Sequence, residues 1–189
     1  MYKVLVFLSI AFISCSQPHY KDPHVLIKTN YGDIEVELFP DKAPKTVAAF
    51  LSYVDSGYYN KSSFYRVVKT EDMGGTNYGL IQGGIWRTND KLQLPGIEHE
   101  STKKTGLSHK SGTMSLARTT VGSANTEFFI CIGDQPELDE GSGGKSDSAG
   151  FAAFGKVFKG MDIVRKIQNL PASGENFTEK ISIDRIKRL

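Results

Sequence analysis

Arg66 lies in the middle of SFYRVV, residues 63–68, a run of aromatic and β-branched types that fits a pleated strand. A guanidinium in such a strand must either snorkel out or meet a group that takes its charge. Two other stretches set polar groups beside large apolar ones. In NTEFFICI, residues 125–132, period-two alternation puts Glu127, Phe129 and Cys131 on one face and Phe128, Ile130 and Ile132 on the other. In GLIQGG, residues 79–84, Leu80 shares a face with Gln82. Taken singly, each is an ordinary sheet-rim position with an exposed polar neighbour. Taken with Arg66, they describe an apolar groove carrying a few placed polar groups, the usual make-up of a binding site.

Other chemistries find less support. GGKS at 143–146 would need a glycine at 139 to complete a phosphate loop, and that position is Asp139, so GSGGKSDSAG (141–150) reads as a surface loop. His19, His24, His99 and His109 show no ligand spacing among themselves or with carboxylates, so no metal and no cofactor are expected. No G-x-S-x-G or other local sign of nucleophilic catalysis is present. The 23 basic and 21 acidic residues are spread along the 189-residue chain, which gives no basic patch and argues against nucleic acid.

The elements that must position these residues are short. VLI (25–27), a turn at TNYGD and then IEVEL (34–38) read as a hairpin with one face inward. In APKTVAAFLSYVDSG, Pro44 suits the first turn, Val47, Phe50, Leu51 and Val54 form a helical stripe, and Gly57 can close the end. Further strand-like runs are SFYRVV, GLIQGGI, GTMSLA, EFFICI, FAAFGKVF and KISIDRIKRL, and a second helix fits GMDIVRKI. Many short strands with two helices predict a mostly β chain, an antiparallel sheet closed on itself with helices over its ends.

The opening MYKVLVFLSIAFISCSQ has Lys3, an apolar run from Val4 to Ile13, and Ser14 before Cys15. This is the layout of an export signal (1–14), and a small residue before cysteine is similar to a bacterial lipoprotein site at which Cys15 is lipidated. Residues 15–23 are then a tether and 24–189 the folded domain. The expected location is the bacterial cell envelope, lipid-anchored to a membrane and facing the periplasm or exterior. Cys131, the other cysteine, is expected to be buried and inert.

SFYRVV, IQGG, GTMSLAR, EFFICI with PELD, and GFAAFGKVFKGMDIV occur in the order found in cyclophilin-type peptidyl-prolyl cis-trans isomerases, and the chain resembles that family over residues 24–189. The resemblance implies a closed eight-stranded antiparallel β-barrel with two capping α-helices, acting as a monomer on proline-containing segments of client proteins. It implies Arg66 as the catalytic arginine and Gln82 as the groove glutamine. Leu80, Phe129 and Leu138 match the walls of the proline pocket, Ala117 and Thr119 line the neighbouring groove, and Phe151 stands at the pocket edge.

Departures from the pattern are also visible. Glu127 replaces a substrate-contacting glutamine and is expected to bring a charge near Arg66, either to fix it or to compete for it. Tyr65 replaces a frequent histidine. Tyr78 is the expected aromatic before Leu80, across an enlarged 69–79 connection, and Glu137 replaces a tryptophan, which implies weak cyclosporin binding. The alternative function is a non-catalytic chaperone or assembly module holding proline segments in the same groove.

Overall fold

The computed structural model describes residues 20–71, 77–89, 91–143 and 147–189. The expected signal and the Cys15 lipidation site lie outside these residues, as do parts of the 69–79 and 141–150 loops.

Nine strands are present among the described residues: β1 His24–Thr29, β2 Gly32–Leu38, β3 Ser63–Glu71, β4 Asn77–Gly84, β5 Thr113–Leu116, β6 Phe128–Ile132, β7 Ala152–Lys159, β8 Ala172–Ser173 and β9 Asn176–Arg188. They form one antiparallel sheet in the order β1-β2-β7-β5-β6-β4-β3-β9, and β1 pairs with β9 to close the barrel of eight. The two-residue β8 only pairs with the start of β9. Closure removes both edges, so the backbone hydrogen bonds of the ladder are satisfied without an exposed strand.

The helices are α1 Pro44–Asp55, α2 Thr102–Thr105 and α3 Met161–Gln168, with a 3-10 turn at Pro136–Leu138. The expected two helices are therefore three among the described residues. α2 is a single turn, too short to leave a periodic apolar stripe, and its Ser101 cap and Gly106 closure are its local marks. α1 buries Val47, Phe50, Leu51 and Val54 as its stripe predicts and packs on β7 and β9, while α3 packs on β2, β3, β4 and β6. No side chain of its own caps α1. The buried Glu100 carboxylate, 54 residues along the chain from Thr46, accepts the backbone N–H groups of Thr46 at 2.8 Å and Lys45 at 3.2 Å instead.

The alternation of β6 is realised on both sides of the barrel wall. Phe128, Ile130 and Ile132 enter the main core with Phe50, Phe64, Met114 and Phe154. Phe129 and Cys131 face the other way and make a second small apolar cluster with Leu80, against which Val68, Ala117, Leu138 and Phe151 pack. That second cluster is the floor of the site.

Candidate active site

Arg66 reaches the outer face of the barrel through an irregularity in β3. Strict alternation would send Phe64 and Arg66 to the same side. The pairing slips instead between Phe64, opposite Gly83, and Arg66, opposite Gln82, so Tyr65 is the extra residue of a β-bulge. Phe64 and Val67 then both enter the main core, whereas Arg66 and Val68 face outward over the second cluster.

There a groove of about 760 Å³ opens, and the predicted Arg66, Gln82, Leu80, Ala117, Thr119, Glu127, Phe129, Leu138 and Phe151 all line it. Tyr78 lines it as well. Phe129 is the buried base. Its ring packs edge-on against Phe151, with centroids 5.2 Å apart, and stacks on His109 at 5.9 Å. Thr119 is exposed on the rim and shares the Ser123 hydroxyl at 3.1 Å. Arg118 stabilises the far wall: it donates to both Asp147 oxygens and to the Gly150 carbonyl, with its guanidinium 5.4 Å from the Phe151 ring centroid.

The polar side is a chain of hydrogen bonds. Arg66 Nη1 donates to Gln82 Oε1 at 2.8 Å, Gln82 Nε2 donates to Tyr65 Oη at 2.8 Å, and Tyr65 Oη donates to Glu127 Oε2 at 2.6 Å. Glu127 thus reaches Arg66 through two intermediaries: the expected charge is near the arginine but does not touch it. Its other oxygen accepts Ile85 N–H at 2.9 Å, Trp86 N–H at 3.1 Å and the Thr126 hydroxyl at 3.1 Å, so the ends of β4 and β6 hold the carboxylate away from the guanidinium. Burial pushes the Glu127 carboxyl above its ordinary range against the pull of these donors. Burial, then the nearby Glu127 charge, holds the Tyr65 phenol far above its usual value, so its proton stays in place.

The carboxylate that does touch Arg66 is Glu175, in the turn between β8 and β9. One of its oxygens accepts from Nε at 2.8 Å and lies 2.7 Å from Nη2 as an ion pair. Its separation of 109 residues from Arg66 leaves no local trace in the sequence. With Nε on Glu175 and one Nη1 hydrogen on Gln82, the remaining N–H groups of Nη1 and Nη2 can donate to a bound molecule.

A second arrangement lies behind the floor. Ser115 Oγ is 2.8 Å from His109 Nε2, and His109 Nδ1 is 2.6 Å from Asp139 Oδ1. The absence of local histidine–carboxylate spacing therefore did not exclude such a contact: the fold brings Asp139 across from 30 residues away. Ser115 and His109 are both buried, so this serine is no accessible nucleophile and the trio serves as a hydrogen-bonded backing for Phe129. Burial lowers the His109 pKa, with Asp139 pulling the other way. Cys131 is fully buried beside Leu80 and Phe129, and burial raises its thiol well above the ordinary range.

A family profile described as "Cyclophilin type peptidyl-prolyl cis-trans isomerase/CLD" matches residues 24–188. The chain belongs to this family. This isomerase is 40% identical over 150 residues to a peptidyl-prolyl cis-trans isomerase of Acinetobacter baylyi, which covers 79% of this chain and 73% of that protein. It is 36% identical over 154 residues to peptidyl-prolyl cis-trans isomerase B of Escherichia coli, covering 77% and 84%. The crystal structure of a cyclophilin type isomerase from Cryptosporidium parvum superposes with a TM-score of 0.71 at 25% identity, over 88% of this chain and 97% of that one. The cyclophilin barrel and the activity of the family accordingly hold for this chain.

Proposed function

We propose that the isomerase turns Xaa-Pro bonds with Arg66 as its catalytic group, and does so as a monomer tethered by a lipid at Cys15 to a bacterial envelope membrane, on exported clients. The observation that carries the residue assignment is the guanidinium held at the lip of an apolar socket, with N–H groups of Nη1 and Nη2 left to donate.

Rotation about a peptide bond faces a barrier of about 18 to 20 kcal/mol because resonance gives C–N partial double-bond character. In Xaa-Pro the isomers lie within about 1 kcal/mol, and spontaneous exchange takes tens to hundreds of seconds. A catalyst must therefore favour the twisted amide over both planar forms. In the twisted state the proline nitrogen regains its lone pair and becomes a better acceptor. Arg66 donates to that nitrogen with one free N–H and to a substrate carbonyl with another, while Leu80, Phe129, Leu138 and Phe151 hold the ring. No covalent intermediate is needed.

A hydrogen bond to a charged group contributes about 1.5 to 3 kcal/mol, or roughly one to two powers of ten in rate when it is expressed only in the transition state. Arg66→Ala is expected to lower turnover at least about tenfold in a protease-coupled Xaa-Pro assay. Unchanged turnover would remove Arg66 from the mechanism.

The tether reading is supported by the export-type opening and by the eight residues, 16–23, that lie between Cys15 and the start of β1. Fully extended, they reach about 30 Å, which keeps the groove close to the membrane surface. Expressed in a bacterium, the full chain is expected in the membrane fraction and Cys15→Ser in the soluble one. Equal partition of both rejects the anchor.

A further inference from the structure

Tyr65 and Glu127 both depart from the residue types usual at their positions in the family, and the structure joins them by a 2.6 Å hydrogen bond. Their chemistry gives the chain that ends on Arg66 a direction. A carboxylate only accepts, and a phenol has one hydrogen. Tyr65 spends that hydrogen on Glu127, so toward Gln82 its oxygen can only accept, and it does so from Nε2 at 2.8 Å. The Gln82 amide is thereby turned with Oε1 toward Arg66 Nη1, also at 2.8 Å.

We propose that Glu127 is a positioning residue that acts through Tyr65 to fix the orientation of Gln82 and so the guanidinium of Arg66. A glutamine at 127 has the same shape and the opposite effect. Its single oxygen is claimed by the backbone N–H groups of Ile85 and Trp86, which leaves its amide hydrogens toward Tyr65. The phenol then accepts from residue 127 and donates to Gln82, whose amide turns over and presents hydrogens to the guanidinium. A donor faces donors, and Arg66 loses its support.

The inference rests on Arg66 as the catalytic group. The experiment measures kcat and KM for one Xaa-Pro peptide in the full set of Glu127→Gln, Tyr65→Phe and their double variant, with Arg66→Ala alongside. Each single variant is expected to lower kcat at least about fivefold with KM within about twofold, since the loss falls on a charge-assisted bond to Arg66. The double variant is expected to be no slower than the slower single, because without the phenol residue 127 no longer communicates with Gln82. Unchanged or raised kcat in Glu127→Gln, or losses that multiply in the double variant, overturns the relay. If Glu127→Gln does not fold, Tyr65→Phe decides: a drop in kcat at constant KM supports the relay and unchanged kcat rejects it. Unchanged turnover in Arg66→Ala instead overturns the assignment on which the relay rests, which keeps the two failures apart.

Discussion

Phe129→Ala tests the groove, its backing and the barrel together. The ring is buried, stacks on His109, packs edge-on against Phe151 and belongs to the second apolar cluster rather than to the main core. Truncating a buried phenylalanine costs about 3 to 5 kcal/mol. Here the low end applies, because the space left behind opens into the groove and fills with water. About 3 kcal/mol is a large share of a typical 5 to 15 kcal/mol and lowers the melting temperature of a domain this size by about 6 to 12 °C. The proline ring loses about half of a contact worth about 1.5 to 3 kcal/mol, so KM rises roughly fourfold to tenfold.

The same substitution exposes His109, and the sign of the pH effect follows. Burial holds its folded-state pKa below the unfolded value, so the unfolded chain takes up a proton first. Stability is whole above about pH 6.5 and declines as pH falls through the folded pKa. In Phe129→Ala water reaches the imidazole, the two pKa values approach each other, and the acid-side loss shrinks. Thermal melts from pH 7.5 to 5, NMR titration of His109 and peptide kinetics give the three readouts. A melting temperature within about 2 °C of the parent, with KM unchanged, would refute Phe129 as the floor of the site.

Two further predictions concern distant carboxylates. Glu175→Ala frees the Nε and Nη2 donors of Arg66; since the pair is about half exposed, it is worth at most about 1 kcal/mol, and kcat/KM is expected to rise by up to about fivefold at low salt. A fall in kcat/KM would show that Glu175 supports the guanidinium rather than competing with substrate. Glu100→Ala strips the acceptor from two N–H groups at the start of α1 and is expected to cost about 2 to 4 kcal/mol in urea unfolding, with Glu100→Gln closer to the parent; equal midpoints for all three would mean that water caps the helix as well.

Residue types and alternation determine much of this protein unaided. Period two is a local property of an extended chain, so the division of Phe128, Ile130 and Ile132 from Phe129 and Cys131 is readable wherever the strand sits, and the core and the pocket floor follow from it. Gln82 and Leu80 are legible for the same reason, as a polar and an apolar group sharing a strand face, whereas Arg66 shows only as a guanidinium within an apolar strand. The α1 stripe is a local signal of period 3.6.

Only the tertiary structure decides the contacts that closing the barrel creates. The bulge at Tyr65 depends on two partner strands at once, and it sets where Arg66 points. Pairing of β9 with β3 brings Glu175 to the guanidinium from 109 residues away. Glu127 had a charge in the sequence but no partner; pairing of β4 with β6 supplies Ile85 and Trp86 to hold one oxygen and leaves the other for Tyr65. A hydrogen bond is decided within a few tenths of an ångström and by which atom carries the hydrogen. Residue spacing along the chain carries neither.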